Sequence, residues 1–481
     1  MQDTKSKNYA AAQRLRQQFG HAHTGRFSQA LGIQDICEIA DRQPGAVRQR
    51  LYPPLTTLGL FIGQVLSPDP GCQTATASHL AQRVSQGQQP CSANNASYCQ
   101  ARKRLPKALV SDLGTLLGQR LESLAPIAWR WQGRCVKLFD GTSVSMPDTM
   151  SNQAAYPQSR SQAVGVGFPM VRIGALIGLA SGAVLAYDLT ALRGKGTGEQ
   201  TVLYGLLGHI QPGDIILADA LLATWWLIQA IQSRGGDVVM AQHGRRSSDF
   251  AQGQILGRGD HIVQWRRPPR PEWMVHSEYA ALPKTLRMRE IEVQGRVVVS
   301  TLCDARCTSA QALDPARPRP AGKSSDARCT SAQALDQLYG MRWSIEVDFR
   351  SLKATMAMDV LRCKSSEMVD KEIAAYMLAF NLVRWAMGAS AVLADVLPRA
   401  LSFASAKRLL SGFAQQLIGS SANAIAGLCS ILLRSIATLK LVQRPGRIEP
   451  RAKKRRPKPL PLLNAPRTAA RDAIRMRRGL S

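Results

Sequence analysis

The clearest pattern of apolar and polar positions lies in the middle of the chain. Arg134-Cys-Val-Lys-Leu-Phe-Asp140 alternates like a strand and runs into D-G-T, which reads as a turn. After a polar Ser/Gln/Pro loop, F-P-M-V-R-I-G-A-L-I-G-L-A, the pair S-G and A-V-L-A-Y-D-L-T predict two strands folded back as a hairpin. T-G-E-Q-T-V-L-Y-G-L-L-G-H-I predicts a helix that Pro212-Gly213 breaks, and Asp214-Ile-Ile-Leu-Ala-Asp219 predicts a strand. Thr224 to Ser233 is helical, Gly235-Gly236 is a turn, and Asp237-Val-Val-Met-Ala-Gln is a further strand. The order strand, strand, strand, helix, strand, helix, strand implies a mixed α/β layer with an antiparallel start and parallel additions.

Residues 1–125 differ. Apolar positions recur there at helical spacing in F-S-Q-A-L-G-I-Q-D-I-C-E-I-A, P-L-T-T-L-G-L-F-I-G-Q-V-L and N-N-A-S-Y-C-Q-A-R-K-R-L-P. Arg42, Arg48, Arg50, Arg102, Lys103 and Arg104 add cations, so either a helix-turn-helix-like DNA reader or a plain helical bundle with a basic surface accounts for the region. Residues 246–300 are rich in Arg, Gly and Pro with short alternating pieces, a small β-rich insertion. Within it Trp265, Arg266, Arg267, Arg270 and Trp273 interleave aromatics with cations, which suits either base stacking with phosphate contact or a twisted sheet with solvated arginines. D-A-R-C-T-S-A-Q-A-L-D occurs at 304–314 and again at 326–336, a tandem duplication. Either copy can lead into the helix at Gln337, so the surplus, 304–325, is expected to loop out. Val369 to Met387 is strongly helical and apolar, and helix continues to about Leu441. The uncharged run Leu409–Leu433 is long enough to span a bilayer, but its Gln, Ser and Asn residues and the break at G-S-S-A-N make it two helices and no membrane span.

Composition adds a partner. The formal net charge is +29 over 481 residues, a self-repelling balance that a polyanion relieves, nucleic acid before an acidic membrane surface. The ten cysteines include no C-x-x-C pair, so they are expected to be reduced in a cytosolic chain, and the N-terminus lacks an apolar signal core. The tail R-P-G-R-I-E-P-R-A-K-K-R-R-P-K-P-L-P carries Lys453, Lys454, Arg455 and Arg456, an electrostatic contact for DNA phosphates.

Candidate chemistry rests on carboxylates. Asp140 and Asp219 each close an apolar strand, where a loop-lined site would form; Asp148 and Asp214 are weaker candidates. Drawn as one helix with Tyr339 at zero, Arg342 falls at about −60°, Glu346 at about −20° and Lys353 at about −40°, beside the apolar stripe Ile345, Phe349, Leu352 and Met356. A carboxylate flanked by cations suits a phosphate and a metal; an i,i+4 surface pair gives the same pattern. Each aspartate alone fits a turn cap as well as a ligand.

The spacing Y-x-x-R-x-x-x-E-x-x-x-x-x-x-K at 339–353 resembles the Y-R-E-K motif of the bacterial insertion-sequence DDE transposases of the insertion sequence 4 family. D-G-T at 140–142 is similar to that family's first Asp motif and G-D-I-I-L-A-D at 213–219 to its second; the N-terminal stretches and the basic tail also look alike. The resemblance implies a ribonuclease-H-like mixed-sheet core at 126–245 and 301–395, split by the 246–300 insertion. It also implies an N-terminal helical DNA-binding region at 1–125, a C-terminal helical region at 396–440 and a basic tail at 441–481. It implies that Asp140, Asp219 and Glu346 hold two Mg²⁺ ions, or Mn²⁺, for cutting one strand and transferring its 3′-OH to target DNA. Tyr339, Arg342 and Lys353 would hold phosphates, the partner would be double-stranded DNA, and the protein would act as a homodimer on it. Ala220 departs from the Arg that follows the second Asp in many relatives, and the duplication lengthens the approach to Glu346.

Overall fold

The computed structural model describes residues 2–18, 26–43, 51–304, 330–441 and 463–478. Its centre is one nine-stranded sheet in the order β3-β2-β1-β4-β5-β9-β8-β7-β6. The strands are β1 (Val136–Ser145), β2 (Met170–Gly178), β3 (Val184–Ala191), β4 (Ile215–Ala218), β5 (Asp237–Ala241), β6 (Gln254–Gly257), β7 (Asp260–Arg266), β8 (Thr285–Val293) and β9 (Arg296–Ser300). β1 to β3 pair antiparallel, while β1, β4 and β5 are parallel, the order expected of a ribonuclease-H-like core. The insertion is not a separate sheet, because β9 pairs antiparallel with β5 and carries β8, β7 and β6 outward from the same edge.

The D-G-T segment is not a turn. β1 runs through it to Ser145, held over its length by β2 from Lys137↔Gly178 to Ser145↔Met170. A glycine in an alternating strand reads as a breaker, but here it clears space: a Cβ on Gly141 would lie 2.6 Å from Glu199 Oε1. Asp140 therefore sits in mid-strand. Its parallel neighbour β4 pairs with β1 only as far as Leu138↔Leu217, so one flank of Asp140 opens just beyond the end of β4.

Two long helices pack together beside β3. Lys107–Ser123 lies on β3 and on Ser366–Leu393, and a Cβ at Gly118 would fall 1.9 Å from the Val184 carbonyl, so only glycine allows that approach. Asn381 ties the three elements together: its amide donates to the Gly114 and Val184 carbonyls at 2.9 and 2.8 Å and accepts from Val184 N at 2.8 Å. Ser366–Leu393 is long and apolar enough to cross a membrane, but 83% of its apolar window is buried inside the protein. The run at 409–433 divides into the helices Phe403–Gly419 and Ala422–Thr438.

The stretch carrying Tyr339 to Lys353 is not one regular helix. It consists of the helix Ala332–Gly340, a 3-10 turn Met341–Trp343, the helix Ser344–Arg350 and a π turn Ser351–Thr355. The tight and wide turns replace the uniform step of a single helix. The chain enters this stretch cleanly, because Thr330 N donates to the Asp304 carbonyl at 3.1 Å and returns the backbone to where it left β9. Beyond Asp304 the surplus segment, residues 305–325, lies outside the described residues, as do Lys453 to Arg456.

A buried ion cluster anchors Ser344–Arg350. Asp348 is fully buried, accepts a hydrogen bond from Arg384 of the helix Ser366–Leu393, and pairs with Arg399 at 2.9 Å. Arg399 also donates to the Leu179 and Gly178 carbonyls at the end of β2, at 2.9 and 3.1 Å. Burial pulls Arg384 down to about 10, and the Asp348 charge opposes that shift. Removing Asp348 would leave two cations partly or wholly buried without a counter-charge. The Asp348→Ala variant should lose about 3–5 kcal/mol of stability by denaturant unfolding, and a loss below about 1 kcal/mol would contradict this anchoring.

Candidate active site

The register of β1 and β4 brings the two aspartates together. Val136↔Ile215, Lys137↔Ile216 and Leu138↔Leu217, extended at the same register, bring Asp140 opposite Asp219, two steps past the last paired residues. Neighbouring strands lie about 5 Å apart, so the two carboxylates share one edge of the sheet. Asp219 leaves β4 as the cap of a 3-10 turn, its side chain accepting from Leu221 N at 3.1 Å. Asp214, at the other end of β4, is buried and pairs with Lys137 at 2.5 Å, so it faces away from this edge. Asp148 is occupied in its loop by Gln153, at 2.9 Å.

Glu346 reaches the same edge through Arg342. The guanidinium lies 3.6 Å from Asp140 Oδ2 and 3.7 Å from Glu346 Oε1, an ion-pair bridge too long for hydrogen bonds. Its side chain is 12% exposed, and its buried Nε has no hydrogen-bond partner among the described residues. The Tyr339 ring lies 5.9 Å from it and 4.8 Å from the Arg296 guanidinium. Tyr339 is nearly buried, so it supports two cations more than it presents a surface. Lys353 Nζ donates to the Ser143 carbonyl at 2.9 Å and to Thr142 Oγ1 at 3.3 Å, which fastens the π turn to β1 just beyond Asp140.

Trp265 is not a free stacking surface. On β7 it shares a face with Val263 and is 3% exposed, its indole N–H donates to Glu290 at 2.6 Å, and Arg246 covers its ring at 3.6 Å. Arg266, on the opposite face, is exposed, as is Trp273.

Sequence pattern does not single out Glu199. At the start of the helix Glu199–Leu206 it crosses over Gly141, and Arg172 of β2 lies 4.0 Å from its carboxylate. Only the strand register could reveal this contact; the local signal is an acidic first turn on a helix that follows a strand. Asp140 is raised from the usual carboxylate range to about 6, chiefly because it is withdrawn from water, with the Glu199 and Asp219 charges adding and Gly141 N–H and Arg342 opposing. Carboxylate oxygens are the donors a hard divalent cation takes, and a cation beside Asp140 would offset the withdrawal from water and the neighbouring charges that raise it. The donor set therefore fits such an ion. As they stand, no three acidic, His or Cys side chains among the described residues form a closed cage, and Arg342 occupies the ground between two of them.

The family model described as transposase DDE domain matches residues 131–382. The transposase InsG for insertion sequence element IS4 of Escherichia coli (strain K12) is 26% identical over 365 residues, covering 75% of this chain and 77% of its own length. A cryo-EM structure of the piggyBac transposase synaptic complex with hairpin DNA aligns over 91% of this chain and 87% of its own, with TM-score 0.40 and 10% identity, a likeness too distant to bear on the site.

The raised Asp140 gives a stability signature with a definite sign. Its folded form holds the proton up to about pH 6, whereas an unfolded carboxyl ionises near its ordinary value of 3.8. Stability is lost as pH rises between these values, because the folded state then binds more protons. Without divalent metal, Asp140→Asn should be more stable than wild type by about 1–2 kcal/mol above pH 6, after allowing for solvent screening. The gain should fade toward about pH 4, the range in which an unfolded carboxyl takes up its proton. Thermal unfolding across this range checks it; equal melting temperatures on the alkaline side of neutrality would contradict the cost of holding this charge away from water.

Proposed function

Because this chain belongs to the transposase DDE domain family, we propose that it is a DNA transposase that cuts at the ends of an insertion sequence and joins the freed 3′-hydroxyl to target DNA. The single observation carrying this reading is the convergence on one sheet edge: Asp140 in register with Asp219, and Glu346 joined to Asp140 across Arg342. Asp140, Asp219 and Glu346 would hold Mg²⁺, in a two-ion arrangement. Bound there, the ions supply Lewis acidity to the attacking and leaving oxygens of a phosphoryl transfer.

The chain's own groups have separate tasks. Arg342 neutralises the carboxylates while the site waits, and its guanidinium, held by ion pairs without a hydrogen bond at Nε, is free to turn to a DNA phosphate. Lys353 fixes the strand that carries Asp140, and Tyr339 backs Arg342 and Arg296. Exposed Arg266 and the tail cations Lys453, Lys454, Arg455 and Arg456 add contacts to DNA phosphates. Both ends of an element must be held together, so the acting species is a homodimer on DNA. The backbone bond from Thr330 to Asp304, and the regular helix Ala332–Gly340 that follows, support an active enzyme over a remnant disabled by the duplication.

Incubation with Mg²⁺ and DNA carrying the inverted repeats that flank the coding sequence tests the proposal. Wild type should cut and then join. Asp140→Asn, Asp219→Asn and Glu346→Gln should each slow cutting by roughly 10³-fold while still binding the DNA. Cutting without joining would identify a nuclease, and binding without cutting by wild type would identify a remnant. Cutting by any of the three variants at the wild-type rate would remove that residue from the site.

A further inference from the structure

The Tyr339–Lys353 stretch supplies cations on one side of Asp140; a second group lies on the other side, toward the β3 edge. The loop after the helix Met150–Ala155 and the loop leaving β3 enclose an open hollow of about 540 Å³. Arg160, Arg193 and Lys195 line it together with Ser159 and Thr197, and none of the described lining residues is acidic. No described carboxylate pairs with the three cations. Like charges gathered without a counter-charge raise the energy of the free protein and are relieved by a polyanion.

The hollow connects to the site through two side chains. Thr197 folds its loop by donating to the Gly194 carbonyl at 3.0 Å, and its own carbonyl accepts from Arg172 at 2.6 Å. Arg172 faces Glu199, which crosses Gly141 beside Asp140. Arg172 thus ties the loop that lines the hollow to Glu199, over the residue next to Asp140.

A separate feature extends the same surface. The helix Arg467–Arg477 begins at Pro466, which packs on Gly165 of the first loop: a Cβ there would lie 3.1 Å from Pro466 Cγ. Beyond this anchor none of its residues is buried. Arg467, Arg471, Arg475 and the adjoining Arg478 recur at intervals of four, four and three, which places them in one sector of about 80°. The helix therefore presents a row of guanidinium groups from a fixed starting point beside the hollow.

We propose that the hollow and this arginine row form a second DNA-backbone site, which seats the phosphates of the duplex flanking the cut on the β3 side of Asp140. The inference rests on DNA being the substrate. It concerns the phosphodiester chain and not base identity, because the lining offers charge and hydroxyl groups.

Binding of a mixed-sequence DNA duplex, measured over a range of salt concentrations, tests the site. Removing one cation from a bound phosphate makes the slope of log affinity against log salt shallower by about 0.9. The variant Arg160→Ala/Arg193→Ala/Lys195→Ala should flatten the slope by about 2–3, and Arg471→Ala/Arg475→Ala/Arg478→Ala should flatten it by about 2–3 as well. Arg193→Ala alone, a change on an exposed loop, should flatten it by about 1 and guards against misfolding of the triple variant. An unchanged slope in the hollow variants, with wild type still cutting DNA, overturns the second site and leaves the transposase reading standing. If wild type does not bind DNA, both fall.

Discussion

Negative charges crowded on a partly dry sheet edge are the constraint around which this molecule is arranged. Asp140 lies in register with Asp219, with Glu199 over the adjoining Gly141, and the raised proton affinity of Asp140 records chiefly its withdrawal from water, with the two neighbouring charges adding. Burying like charges together is unfavourable unless a cation intervenes. In the free protein Arg342 intervenes, without hydrogen bonds to either carboxylate it bridges. In the proposed function, divalent ions held by Asp140, Asp219 and Glu346 would supply that counter-charge, leaving Arg342 for a DNA phosphate.

The helix that carries the third carboxylate is held by an anchor outside the site. Asp348, two residues after Glu346, is locked between Arg384 and Arg399, and Arg399 grips the end of β2. Lys353 makes a second attachment, to β1. The short helix bearing Glu346 is therefore pinned on both sides of the carboxylate, although it is interrupted by a 3-10 turn before and a π turn after. Irregular helical turns of this kind tend to occur where a side chain is aimed for function and not for packing.

Much of the core is legible in the sequence because its physics is local. Alternation marks β1, the S-G pair marks the β2–β3 hairpin, and apolar runs between glycine and proline breaks mark β4 and β5. Asp219 stands out by its place at a strand end. What stays hidden depends on partners distant in sequence. Gly141 looks like a turn residue, and only the side chain of Glu199 crossing above it explains a glycine in mid-strand. Glu199 and Asp348 carry no periodic signal at all, since each is defined by what packs against it. Trp265 among arginines suggests a stacking surface, yet period-two alternation puts it on the face of Val263, opposite Arg266. The Y-R-E-K spacing suits one regular helix but is spread over four helical segments.

In the proposed function Asp140, Asp219 and Glu346 together hold divalent ions against DNA. Counting Mn²⁺ bound to the protein–DNA complex, by the disappearance of its free-ion paramagnetic signal, addresses it without relying on turnover. Wild type should bind two ions per site, and Asp140→Asn, Asp219→Asn and Glu346→Gln should bind fewer ions or hold them more weakly. Wild-type stoichiometry and affinity in any one of these variants, Asp219→Asn above all, would contradict it.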